Sequence, residues 1–218
     1  RPPRSTLFPY TTLFRSIKKL SPLLINQLAA GLKHPERFVG IHFFNPVHKM
    51  KLVEIVRGDK TSDNTVERVI RYVHSIGKLP IVVNDSPGFV VNRILVPYLI
   101  LAAEMLADGA QIEAIDQAIV KFGMPMGPFR LMDEIGLDIC YNVAQDFHFR
   151  LEMPCDLSEL SYRMDDGKLG KKSGEGFYKY KKGRSIKNKV MNKIDVTPLI
   201  DCMIDEAQKV LAEGVVDD

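Results

Sequence analysis

Two residues early in the chain have the chemistry to move protons. His42 lies late in the apolar run Phe38-Val-Gly-Ile-His-Phe-Phe-Asn-Pro46. The carboxyl ends of strands form the ligand crevice in open α/β sheets, and an imidazole there can take and return a proton near neutral pH. The other reading is a core histidine with a satisfied hydrogen bond. Glu54 lies inside Leu52-Val-Glu-Ile-Val56, where burying an unpaired carboxylate costs several kcal/mol. It therefore needs a partner. His42 and Glu54 share strand parity, so neighbouring strands can set them on one face with the carboxylate orienting the ring. Lys51 or Arg57 can instead hold Glu54 in a plain salt bridge. Asn92 stands in the opening turns of a helix among Val90, Val91, Ile94 and Leu95, where an amide is either structural or functional. Asn45 precedes Pro46 and suits a turn. Lys171, Lys172, Lys179, Lys181 and Lys182 can attract phosphate or form a solvated face, accompanied only by Phe177, Tyr178 and Tyr180 as aromatic surface.

The elements that must position these residues fall into two styles. Short β-branched or aromatic runs at Phe38–Phe44, Leu52–Val56 and Leu79–Val83 predict buried strands, preceded by a short helix over Pro22–Leu32. Between the last two strands, Val66, Val69, Ile70 and Val73 follow helical spacing, Thr61 or Ser62 can cap, and Gly77 stops the helix. Strand, helix, strand implies a parallel pair. From Asn84 the style changes. Ser86 can serve as N-cap and Pro87 as first helical residue, ahead of a helix over Gly88–Ala107. Helices follow over Gln111–Phe122, Pro128–Ile135, Leu137–Leu151 and Leu157–Met164, then a basic glycine-rich loop at Gly167–Gly176 and a last helix from Thr197.

Composition excludes several classes. At 45% hydrophobic and 26% charged, the 218 residues read as globular and not disordered. The longest apolar run, Ile94–Ala103, contains Pro97 and falls short of the roughly 20 residues of a membrane span. Cys140, Cys155 and Cys202 are widely spaced, which offers neither a zinc site nor a disulfide framework. The net charge of +3 comes from Arg1, Arg4 and Arg15, because residues 1–16 hold no acid and the remaining chain balances 27 bases against 27 acids. That stretch, Arg-rich and acid-free like a transit peptide, instead resembles a translated sequencing adapter over Thr6–Ser16, so it is set apart as a non-native tail. The few strands and the lack of a G-x-G-x-x-G turn predict a fragment truncated at both ends.

Three ordered stretches, His34–Gly58 (HPERFVGIHFFNPVHKMKLVEIVRG), Lys78–Tyr98 (KLPIVVNDSPGFVVNRILVPY) and Phe122–Asp138 (FGMPMGPFRLMDEIGLD), resemble the L-3-hydroxyacyl-CoA dehydrogenase family. The resemblance implies an α/β plus all-α fold: the C-terminal strands of a truncated Rossmann NAD-binding domain over 17–84, then an all-helical domain over 85–182. Residues 183–218 would be a linker and the start of a second helical repeat, since Gln208–Gly214 echoes Ala103–Gly109. It implies NAD as cofactor and a fatty acyl-CoA thioester as substrate. By the same resemblance His42 matches the catalytic base and Glu54 the acid that pairs with it. Asn45 matches a cofactor-contacting position, Asn92 a substrate contact, and Ser21 a residue that bonds the substrate oxygen beside the nicotinamide. Lys18-Lys-Leu-Ser21 departs from the family pattern around that serine. His48-Lys-Met50 is most similar to the multifunctional β-oxidation enzymes, which implies a homo-oligomer or a complex with a thiolase, no nucleic acid, and a bacterial-type cytoplasmic setting, with a mitochondrial or peroxisomal matrix as the other settings. The alternatives are a single-function 3-hydroxybutyryl-CoA dehydrogenase or, for these residues alone, a non-catalytic helical dimerisation module.

Overall fold

The computed structural model describes residues 24–44, 47–186 and 193–216. Ser21, Asn45 and the tail 1–16 lie outside the described residues. The β-branched runs form β1 (Gly40–Phe43), β2 (Leu52–Arg57) and β3 (Leu79–Asn84), in the sheet order β1-β2-β3. β1 runs antiparallel to β2 with His42 directly opposite Glu54. β2 and β3 are parallel and are joined by a helix, as the strand–helix–strand reading requires.

The first helix, α1, spans only Ile25–Ala29, shorter than the expected Pro22–Leu32. The second, α2 (Asp63–Ser75), is capped by the Ser62 hydroxyl, which accepts from the Thr65 N–H at 3.3 Å. Strand alternation decides what each face of the sheet meets. Val53 and Ile55 point to one face and pack against Val66 and Val73 of α2, with Ile41 and Phe43 at the edge. Glu54 and Val56 therefore point to the other. There Val56 and Val83 pack with Ile25, Phe89, Val90 and Val216, so this face looks toward the helical part of the chain.

That part is built on α3 (Val91–Ala107), around which α4 (Ile112–Phe122), α5 (Pro128–Ile135), α6 (Leu137–Leu151) and α7 (Ser158–Asp165) gather. Tyr98, Ala102, Ile115, Phe129, Met132 and Leu199 are among its buried side chains. α8 (Thr197–Ala212) packs along α3. Two features depart from expectation. α3 begins at Val91 and not beside Ser86, because Gly88 and Phe89 both take positive φ (78° and 52°) and break the helical path after Pro87. A short hairpin, β4 (Lys179–Lys181) with β5 (Arg184–Ile186), occupies the lysine-rich stretch. Nearby, Lys171 is paired with Glu134 and Lys172 with Asp138.

Two buried carboxylates organise the helical core. Asp116 accepts from the Phe129 and Arg130 N–H groups at 3.0 and 3.1 Å, which closes the start of α5, and from the Tyr178 hydroxyl at 2.9 Å. Asp133 accepts from the Phe177 and Tyr178 N–H groups at 2.8 and 2.9 Å and from the Tyr180 hydroxyl at 2.9 Å. The three aromatic residues of that stretch are thus spent on the core. Burial pushes the Asp116 carboxyl up to about 6 and raises that of Asp133.

Candidate active site

The site is assembled where the even face of the sheet meets the start of α3. Glu54 has no exposed surface, and each carboxylate oxygen has a distinct role. Oε2 lies 2.6 Å from His42 Nδ1. Oε1 accepts two backbone bonds, from the Val90 N–H at 3.0 Å and the Val91 N–H at 2.9 Å. These are among the N–H groups that a helix leaves without internal partners at its start, and the positive end of the helix dipole suits a carboxylate there. The same late start of α3 frees both donors for Glu54.

The salt-bridge reading of Glu54 does not hold in the fold. Arg57 reaches Asp63 at 2.6 Å, and Lys51 is exposed. With Nδ1 committed to a carboxylate, the neutral ring carries its proton on Nδ1 and leaves Nε2 as the acceptor. The His42 side chain keeps 30% exposure while its anchor is fully enclosed. Two aromatic rings flank the imidazole, Phe44 with centroids 4.6 Å apart and Phe89 at 5.7 Å.

The pair His42–Glu54 is the part of the expected site that the fold brings together. Asn92 directly follows the donor Val91 and sits half-buried in the first turn of α3, at the same end of the helix as Glu54. Ser21 and Asn45 are outside the described residues. Sequence reasoning missed the Val90 and Val91 amides, since a backbone donor carries no residue signature. It also missed Phe44 and Phe89. The run Ser86-Pro-Gly-Phe89 was the available signal for a turn.

Phe89 is a bulky residue in the left-handed region, which costs about 1–2 kcal/mol relative to glycine. Gly88 before it cannot carry a side chain. A Cβ there would stand 2.2 Å from Phe147 Cζ, so the α6 ring packs directly on the turn. On the far side, Arg93 is buried and bonds Glu206 through Nε at 3.1 Å and Glu213 through both terminal nitrogens at 3.0 and 2.8 Å. Asn84 completes the attachment of the last helix by donating from N and Nδ2 to the Val215 and Gly214 carbonyls, each at 2.7 Å. Among the described residues no group of His, Cys, Asp and Glu is placed to hold a metal ion, and no helix is long and apolar enough to cross a membrane.

Residues 10–86 match the family model for the 3-hydroxyacyl-CoA dehydrogenase NAD binding domain, and residues 88–180 match the C-terminal domain model of the same family. The first of these matches begins inside the 1–16 stretch. Among curated proteins, the fatty acid oxidation complex subunit alpha of Idiomarina loihiensis is 48% identical over 174 residues, covering 77% of this chain and 24% of the relative. The chain thus spans about a quarter of the length of such relatives. Among solved structures, FadB2 of M. tuberculosis superposes with a TM-score of 0.71 at 40% identity, covering 74% of this chain and 59% of that one. The 3-hydroxybutyryl-CoA dehydrogenase of Escherichia coli K12 gives 0.70 at 35%, covering 82% and 39%.

Proposed function

Because the chain belongs to the 3-hydroxyacyl-CoA dehydrogenase family, we propose that the protein oxidises L-3-hydroxyacyl-CoA to 3-ketoacyl-CoA, with His42 as the base. The observation that carries this is the 2.6 Å contact between His42 Nδ1 and a fully buried Glu54. The C3 hydroxyl would donate its proton to His42 Nε2 as the carbon–oxygen double bond forms. Glu54, held by the Val90 and Val91 amides, would keep the ring in the accepting tautomer and stabilise the imidazolium that results. Asn92 would bond the thioester end of the substrate, and Ser21 the reacting oxygen.

NAD, when bound, supplies the acceptor for the C3 hydride. By the family resemblance, Asn45 and Ser21 would contact the nicotinamide beside His42, whose side chain is partly exposed. The pyrophosphate has no counterpart in these residues, since the sequence contains no G-x-G-x-x-G turn.

The likeness to the oxidation-complex subunit favours a multifunctional β-oxidation enzyme acting in a bacterial cytoplasm, in a complex with a thiolase or as a homo-oligomer. Residues 183–218 would then open a second helical repeat, a reading supported by the way α8 lies along α3. The fold likeness to the E. coli 3-hydroxybutyryl-CoA dehydrogenase favours the second reading, a single-function enzyme for that substrate. Hydration of enoyl-CoA by the same purified polypeptide separates the two. The central test is His42→Gln in the full-length polypeptide that carries this sequence. Turnover of 3-hydroxyacyl-CoA, followed as NADH formation, should fall by about 10²- to 10⁴-fold with acyl-CoA binding retained. Near-normal turnover rejects the assignment.

A further inference from the structure

One residue without a titratable group, Phe89, stands beside both ends of the His42–Glu54 pair. The Phe89 backbone stands at φ 52°, following Gly88 at 78°, and closes a turn through its own N–H to the Ser86 carbonyl at 3.0 Å. The next two amides, Val90 and Val91, are the ones that hold Glu54 Oε1. The Phe89 ring meanwhile lies 5.7 Å from the His42 imidazole, with Phe44 as the ring's other aromatic neighbour. A phenylalanine in the left-handed region is unfavourable wherever glycine is an alternative, and such residues persist where the surroundings over-determine them. Here the surroundings are Phe147 against Gly88 on one side and the apolar cluster of Ile25, Val56 and Val83 on the other.

We propose that Phe89 is a positioning residue for the His42–Glu54 pair. Its strained backbone aims the two amides at the carboxylate, and its ring limits how far the imidazole can rotate away from it. This rests on the reading of His42 as the base. An imidazole restrained against the carboxylate keeps Nδ1 in its bond to Glu54 and leaves Nε2 for the substrate. A shift of about 1 Å in a catalytic group can cost on the order of 10²-fold in rate, so a contact that only restrains an imidazole is large enough to matter.

Glycine isolates the contribution of the ring, because it accepts the positive φ of the turn and removes only the side chain. In the full-length polypeptide, Phe89→Gly should lower the thermal midpoint, because the lost packing of the ring against Ile25, Val56 and Val83 outweighs the relieved backbone, so turnover is compared per folded molecule. Its kcat should fall about 10- to 100-fold with KM within about threefold. Phe89→Tyr, which keeps the ring, should restore turnover to within about twofold. In ¹⁵N spectra of the 218-residue chain, the His42 ring nitrogens should move toward a mixture of tautomers in Phe89→Gly and stay unchanged in Phe89→Tyr. Wild-type turnover in Phe89→Gly, or unshifted His42 nitrogens in that variant, overturns the proposal. The two readings can fail separately: full activity of His42→Gln together with a Phe89-dependent tautomer shift rejects the catalytic role of the histidine and leaves the positioning contact intact.

Discussion

Glu54 and Asp133 are equally hidden from solvent, at 0% and 1% exposure, yet the sheet and the helical core use them in opposite ways. Asp133 accepts from three neutral donors, two buried amides and the hydroxyl of the half-buried Tyr180. It ties the Phe177–Tyr180 stretch to α5, and burial together with the neighbouring Asp133 raises the Tyr180 hydroxyl above its ordinary range, so none of its donors gives up a proton near neutral pH. Glu54 gives one oxygen to two amides and the other to an imidazole that opens onto solvent. One carboxylate closes a structure, and the other transmits a constraint to a group that can react. Burial alone does not separate chemistry from scaffolding. What separates them is whether a partner can exchange protons at an accessible atom.

The comparison is broken most severely by Glu54→Gln. The amide oxygen can still accept from Val90 and Val91, but the Nε2–H₂ group then faces His42 Nδ1, forcing that nitrogen to accept and Nε2 to carry the proton. Turnover in the full-length polypeptide should fall on the order of 10³- to 10⁴-fold while the unfolding midpoint changes little. ¹⁵N spectra of the chain should show His42 in the other tautomer. A histidine tautomer identical to wild type would place Glu54 with the scaffolding carboxylates.

Next in size is Asp133→Ala, which leaves the Phe177 and Tyr178 amides and the Tyr180 hydroxyl without their acceptor. Urea unfolding should show a loss of about 3–5 kcal/mol, with turnover per folded molecule unchanged. If activity is lost while stability holds, the division between the two regions is wrong.

The smallest expected effect sharpens the comparison through pH. Burial holds the Asp116 carboxyl at about 6, above its value of about 4 in an unfolded chain. In that interval the folded state keeps a proton that the unfolded state has released, so stability from this group is complete below pH 4 and is lost as pH rises to 6. The loss is about 3 kcal/mol across the window. Asp116→Asn carries no such titration, so the unfolding free energy of wild type minus that of the variant should decrease between pH 4 and 6 and level off above. An equal difference at pH 4 and pH 7 would show that Asp116 stays in one protonation state.

Much of this was legible in the residues. His42 and Glu54 share parity and flank a short connection, so the strand period alone predicts that they can meet. Val66, Val69, Ile70 and Val73 predict α2, and with it the parallel pairing of β2 and β3. The rest was hidden for physical reasons. Gly88 and Phe89 displace the start of α3 through backbone dihedrals, which a capping pattern at Ser86-Pro87 does not reveal. The donors to Glu54 are amides of valines, interchangeable in sequence with any others. Asp116 and Asp133 read as ordinary helical acids, because their partners lie 13 and 44 residues away. Ser21 and Asn45 rest on family resemblance alone.

The attachment of α8 also dictates an order of events. Arg93 meets Glu206 and Glu213 across 113 and 120 residues, and Asn84 meets Gly214 across 130. Closing a loop of that length costs roughly 4 kcal/mol of chain entropy before any contact is made. On a ribosome, Arg93 emerges more than a hundred residues ahead of its counter-charges, and α3 must keep that guanidinium in water while α4 to α7 assemble on local contacts. The docking of α8 should therefore follow the assembly of α3 to α7, so that the start of α3, behind Glu54, is braced by a segment made more than a hundred residues later.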